Sequence, residues 1–255
     1  MLDGIFGFDV SEWQDKNSTP QQINFYKMKA EGASFCGIRA GRADVVDTDF
    51  EYNWTESKKA GLLRFAYWFY DYRLMAVPQA RKFNSVIDGD FGDISPVIDL
   101  EQIKNTTMPL RHDYLRASKA FLDTVEAVQG EMMIYTNPSL IKHYIGYGNV
   151  PTWMTDRKLW IAHYLWKSWY NRKIDNWPIA KTPTFKPWNA WTFWQFSPVG
   201  DGLKYGAESL GIDKNFFNGS LEDLKKLAGA TDEPTPEVPS AEKLTRLWGA
   251  HPELH

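Results

Sequence analysis

The sequence predicts an α/β fold: a modified, TIM-like β/α barrel with an incomplete helical ring and a short C-terminal extension. Three observations carry that expectation. Short apolar, strand-like runs alternate with helical segments through most of the chain, the pattern of a mainly parallel sheet covered by helices. Seven or eight such strands occur without a glycine-rich phosphate loop, which favours a closed barrel over a nucleotide-binding sheet. The nearest candidate loop, GIRAGRADVVD, has neither GxGxxG nor GKS/T spacing. Connections late in the chain are short or irregular, so the ring of helices is expected to be incomplete. At 255 residues, one substantial core plus a short appendage is the natural size.

The elements follow in order. IFGFDVS (5–11) is the first strand. A helix is expected around TPQQINFYKMKAEG, with Pro20 in its first turn and Gly32 as its stop. SFCGIRAG (34–41) is a second strand, FEYNWTESKKAG (50–61) a helix closed by glycine, and LLRFAYWFY (62–70) a third strand. A helix runs from about 77 to 86, and ISPVIDLE is the fourth strand. Between 111 and 129, Tyr114, Leu115, Phe121, Leu122, Val125 and Val128 keep a helical period that Gly130 ends. EMMIYTN (131–137), KLWIAHY (158–164) and AWTFWQFS (190–197) supply three more strands.

From Gly229 the texture changes. TDEPTPEVPS is proline-rich and almost free of apolar residues, as in a semi-extended linker. The expected division is a barrel over 1–228, a linker over 229–240, and a 241–255 segment that is a short helical tail or the start of a truncated second module.

Net charge is −3 with no basic block, which argues against nucleic acid as the main partner. MLDGIFGFDV lacks a basic n-region before an apolar stretch, and no run is long enough to span a bilayer. Synthesis in a cytoplasm, without a signal peptide and without membrane insertion, is the expectation. The single Cys36 can form no internal disulfide and reads as buried filler.

Candidate chemistry begins at ISPVIDLEQ (94–102), an apolar run ending in Asp99 and Glu101. Side chains two apart on a strand share a face, so both acids converge on one site. Asp9 in GFDVSEWQ sits at another strand end, and Asp213 in GIDKNFFNG lies near the end of the barrel. Clustered carboxylates raise at least one pKa, as a general acid near neutral pH requires. Paired carboxylates flanking a scissile bond are the working parts of glycoside hydrolysis. Trp153, Trp160, Trp166, Trp169, Trp177, Trp188, Trp191 and Trp194 fall within 42 residues. Trp160 belongs to the core, while indoles in polar loop sequence suit the apolar faces of sugar rings. His163 is a candidate base or ligand. The five scattered histidines and one cysteine give no metal spacing, and no cofactor is expected. No GxSxG elbow occurs.

GFDVSEWQ, PVIDLE, LWIAHY, WTFWQFS and IDKNFFNG, in this order and spacing over roughly 5–220, resemble the glycoside hydrolase family 25 lysozymes. These are the Chalaropsis-type N-acetylmuramidases, common among phage endolysins and bacterial autolysins. The resemblance implies a modified β/α barrel that cleaves the β-1,4 bond between N-acetylmuramic acid and N-acetylglucosamine in bacterial peptidoglycan. It implies Glu101 as general acid, Asp99 as its strand partner, and Asp9 and Asp213 as supporting acids. Substrate contacts are expected from Tyr67, Trp68, Tyr135, His163, Trp194, Gln195 and Arg39. It also implies action on the wall after endolysin-like release or export by another route, and a wall-binding module beyond the linker.

Two segments depart from the family pattern. Trp68 stands where a histidine often follows the tyrosine, and no acid directly follows Arg39 in IRAGRAD. The residues leave two other readings open: a chitinase-like glycosidase acting on N-acetylated sugars, and a carbohydrate-binding or structural barrel without turnover. Whether Asp99 acts as nucleophile or orients the substrate's own N-acetyl group is also open.

Overall fold

A computed structural model of the chain describes residues 5–15, 22–164 and 182–229. Nine strands form one sheet: β1 (Phe6–Val10), β2 (Phe35–Arg42), β3 (Val45–Val46), β4 (Leu63–Phe69), β5 (Val97–Asp99), β6 (Met133–Thr136), β7 (Leu159–Ala162), β8 (Phe193–Asp201) and β9 (Gly211–Phe217). Eight of them close a barrel in the order β1-β2-β4-β5-β6-β7-β8-β9, with β9 returning to β1; β3 is a short antiparallel flap on β2. Neighbours from β1 through β8 around the ring are parallel, while β9 runs antiparallel to both β8 and β1. All seven strands read from the sequence are present. The closing strand is GIDKNFF, which the sequence leaves outside the strand-like runs.

Helices α1 (Phe25–Ala30), α2 (Phe50–Lys59), α3 (Ala76–Val86) and α4 (Arg111–Gln129) cover the first half of the barrel. The Asn24 side chain accepts a hydrogen bond from the Lys27 backbone N–H and starts α1. Pro20, the expected first turn, lies outside the described residues. Gly130 takes φ 79° at the end of α4, a conformation that glycine adopts without steric cost. Between β6 and β7 the ring thins to a π turn (Leu140–Ile145), a 3-10 turn (Tyr147–Asn149) and the four-residue α5 (Thr152–Thr155). Helix α6 (Leu221–Leu227) follows β9 behind a Ser220–Asp223 capping box. No helix among the described residues is long and apolar enough to cross a membrane. The expected linker and tail lie outside the described residues, apart from Gly229.

Strand alternation divides the core in two. Phe35, Phe65, Val97, Met133, Trp160, Phe193 and Phe217 fill the barrel interior. Phe8, Ile38, Trp68, Ile98, Ile134, Ile161 and Trp194 belong to the larger cluster shared with the helices. Each large side chain removed from water stabilises the fold by roughly 1.5–3 kcal/mol. Inside, Phe35 and Phe65 both pack on Phe193, at centroid distances of 4.9 and 5.2 Å. Gly37 makes this possible: a Cβ there would sit 2.7 Å from the Phe65 ring and 3.3 Å from Cβ of Asp9. The aromatic floor thus fills the barrel and leaves the carboxyl ends of its parallel strands open for polar side chains.

Candidate active site

The inward-facing positions above the aromatic floor are polar. Asp9, one residue before the end of β1, is buried, and its Oδ2 accepts hydrogen bonds from Gln195 Nε2 (2.9 Å) and Asn215 Nδ2 (2.7 Å). Both amides are themselves oriented. Gln195 Oε1 accepts from the hydroxyls of Tyr135 (2.8 Å) and Tyr164 (2.5 Å), and Asn215 Oδ1 accepts from Trp160 Nε1 (2.7 Å). Because the Trp160 indole can only donate, the Asn215 amide nitrogen must face Asp9, and the two tyrosine hydroxyls on Gln195 Oε1 leave its nitrogen for the same carboxylate. Burial drives the Asp9 pKa up to about 6, against the pull of its two amide donors.

Asp99 ends β5, paired in register with Phe69 of β4 and Tyr135 of β6. Its carboxylate is buried, and Oδ1 has no hydrogen-bond partner. Burial, then the charges of Glu101 and Asp9, push its pKa well above the aspartate range. Glu101 lies two residues on, and burial raises its pKa too; a hydrogen bond from the Asn137 side chain opposes that rise. Asp213 sits opposite Asp9 in the β1–β9 register, and burial followed by the charges of Asp9 and Glu101 raises its pKa well above the usual range. The four acids expected to share one site therefore interact electrostatically at one barrel mouth.

Arg39 and Tyr67 complete this constellation. Arg39 is buried on β2, with Nε 2.7 Å from Asp47 Oδ2 and Nη2 2.8 Å from Glu12 Oε1. The acid missing directly after Arg39 is supplied from across the β2–β3 hairpin by Asp47. Tyr67 is buried at the mouth, edge-on to Trp160 at 5.7 Å, and the Tyr135 ring meets the same indole at 4.5 Å. Burial, then Asp9, raise the Tyr67 pKa well above its ordinary value. His163 shares a cleft of about 450 Å³ with Glu101, Asn137, Lys142, His143 and Tyr164. Its Nδ1 accepts from the Thr184 backbone N–H, and burial lowers its pKa.

Two expected contacts lie elsewhere. Trp68 is 0% exposed and packs on Phe83 of α3 at 5.6 Å, on the helical side of the barrel. Trp194 is 1% exposed in the same cluster, with its indole N–H donating to the His163 carbonyl at 2.9 Å. Each adjoins an inward residue, Tyr67 or Gln195, and strand alternation sends it to the opposite face. Trp188, in polar sequence, is buried and donates to the Met154 and Arg157 carbonyls. Trp166, Trp169 and Trp177 lie outside the described residues. Among the described residues the exposed indole is Trp13, 64% exposed on the 3-10 turn that follows β1. Asn215, Tyr164 and Asn137 also lie in the site, and the sequence reading did not single them out. Asn215 had a signal, two positions after Asp213 on one face.

A closed barrel with four mutually interacting carboxylates and an aromatic lining at the carboxyl ends of its parallel strands fits the class of glycoside hydrolases. Comparison with known proteins makes the assignment specific. The profile of Glycosyl hydrolases family 25 matches residues 8–202, and the chain belongs to that family. The uncharacterized protein YegX of Escherichia coli (strain K12) is 33% identical over 229 residues, covering 87% of this chain and 72% of that protein. Lysozyme M1 of Streptomyces globisporus is 28% identical over 243 residues, covering 89% and 72%. The crystal structure of the bacterial lysozyme from Streptomyces coelicolor superposes with a TM-score of 0.71 at 26% identity, covering 91% of this chain and all of that one.

Proposed function

We propose that this enzyme is a lysozyme that hydrolyses the β-1,4 bond between N-acetylmuramic acid and N-acetylglucosamine in peptidoglycan, with Glu101 as general acid and Asp99 as its partner. The observation that carries the reading is the coupled set of Asp9, Asp99, Glu101 and Asp213 in the barrel mouth of a family 25 chain. It favours turnover over a purely binding role. Repelling, desolvated carboxylates destabilise a fold, and a binding groove has no need of them.

The proton needed for catalysis belongs to the Asp99–Glu101 pair rather than to either acid alone. Asn137 donates to Glu101 and favours its ionised form, whereas Asp99 Oδ1 has no hydrogen-bond partner among the described residues. A substrate N-acetyl N–H donating to Asp99 Oδ1 satisfies that oxygen, favours its carboxylate and leaves the pair's proton on Glu101. Glu101 then protonates the glycosidic oxygen as the bond breaks. Asp99 stabilises the positive charge at the anomeric carbon through the oriented N-acetyl group. Asp9, held by two fixed amides, keeps a negative charge close enough to sustain the raised pKa of both partners.

Glu101→Gln tests the assignment, since it removes the proton at nearly constant shape. Turnover on purified peptidoglycan is expected to fall by about 10²–10⁴-fold with Tm retained. Near-wild-type release of reducing ends by that variant overturns it. Action on the bacterial wall follows from the substrate. The 1–228 barrel is proposed as the catalytic unit, with a wall-binding module as the proposed destination of the linker.

A further inference from the structure

The cleft beside Glu101 has a chemical asymmetry that cleavage of the sugar bond does not require. Its wall from Asn137 to His143 leads from the end of β6 into the π turn before β7. Lys142 and His143 on that turn are exposed and line the cleft, with no ion-pair partner among the described residues. Glu101 is the one acid in the lining. The other mouth cation, Arg39, is already paired with Asp47 and Glu12. A strand of N-acetylated sugars is neutral and gives a lysine nothing to neutralise. The muramic residues of peptidoglycan differ, because each carries through its lactyl ether a short peptide rich in carboxylates.

We infer that Lys142 and His143 form a reader for the acidic stem peptide, selecting glycan whose muramic residues carry carboxylate-bearing peptides over the same glycan with neutral stems. This rests on the muramidase reading and deepens it. The chemistry is charge complementarity at an exposed wall. Lys142 contributes a point charge, and His143 a ring N–H donor, to a carboxylate held beside the reacting sugar. The π turn sets the two side chains on a short, irregular segment whose Leu140, Ile141 and Ile145 are buried, so its polar residues face the cleft on a packed base.

The experiment compares two substrates from one preparation: intact peptidoglycan, and the same peptidoglycan with its stem carboxylates converted to neutral amides by methylamine and a carbodiimide. Lys142→Gln and the Lys142→Ala/His143→Ala double variant are assayed on both, with Tm measured to verify the fold. On intact peptidoglycan, KM is expected to rise roughly 3–10-fold with kcat little changed, the scale of exposed charge pairs. On the amidated substrate the variants should match wild type within about two-fold. Adding 0.5 M salt should erase most of the wild-type preference for intact substrate, since the interaction is exposed. Equal KM changes on both substrates, or none on intact peptidoglycan while wild type cleaves it, overturn the stem reader and leave the muramidase assignment standing. If wild type cleaves neither substrate, the muramidase assignment falls and takes the reader with it.

Discussion

Asp9 concentrates the residue-scale argument. Its folded pKa of about 6 lies above the ordinary aspartate value, so the native state binds more protons than the unfolded chain at intermediate pH. The favourable contribution is fully present below about pH 4 and is lost as pH rises through 6. Asp9→Asn keeps an oxygen for the Gln195 and Asn215 amides and removes the charge. It should therefore stabilise the fold at pH 7.5 by roughly 1–3 kcal/mol and by nothing measurable near pH 3.5, read from urea unfolding at both values. The same variant removes a charge that raises the pKa of Glu101. The alkaline limb of the kcat profile, where Glu101 loses its proton, should move to lower pH. A limb that stays in place separates Asp9 from the acid. The acids were legible in the sequence because i, i+2 spacing at a strand end needs no tertiary information. The aromatic wall was legible only in part. Tyr67 and Tyr135 point inward, but Trp68 and Trp194 sit one position away, where strand parity reverses the face. Tyr164 and Asn137 carried no signal, because their role comes from distant partners that meet only in the closed barrel.

At the scale of elements, the barrel depends on small residues where strands carry large neighbours. Gly37 on β2 leaves room for the Phe65 ring, so Gly37→Ala should destabilise the fold by about 1–3 kcal/mol with an unchanged denaturant slope. An unaltered urea midpoint would contradict this packing account. The parallel strands and the first helices were readable because apolar runs and 3.6-residue periods repeat cleanly. Strand β9 was hidden by its own function. Its inward positions are Asp213 and Asn215, and its helix-facing neighbours are Ile212 and the buried Lys214 beside Phe196 and Tyr205. The usual alternation of apolar inside and polar outside is therefore scrambled. Trp188 sits in polar sequence, yet its indole is buried and donates to the carbonyls of Met154 and Arg157.

At the scale of the whole molecule, closure explains why the acids meet. Strand β9 pairs with both β8 and β1, so side chains from opposite ends of the sequence, Asp9 and Asn215, come within 2.7 Å. The sequence predicted the barrel and its thinning ring of helices. It did not predict that the last strand would run antiparallel, since direction depends on the loop geometry around 202–210. With β9 and α6 completing the ring by 229, a chain ending there should retain its Tm within a few degrees and its turnover. Loss of either would place part of the fold in the remaining segment. The central claim is the bond that is broken. Purified peptidoglycan should be digested with the wild-type enzyme, its new reducing ends reduced with borohydride, and the reduced sugar identified. The account predicts muramitol; glucosaminitol, or no new ends from a folded enzyme on several wall types, would contradict it.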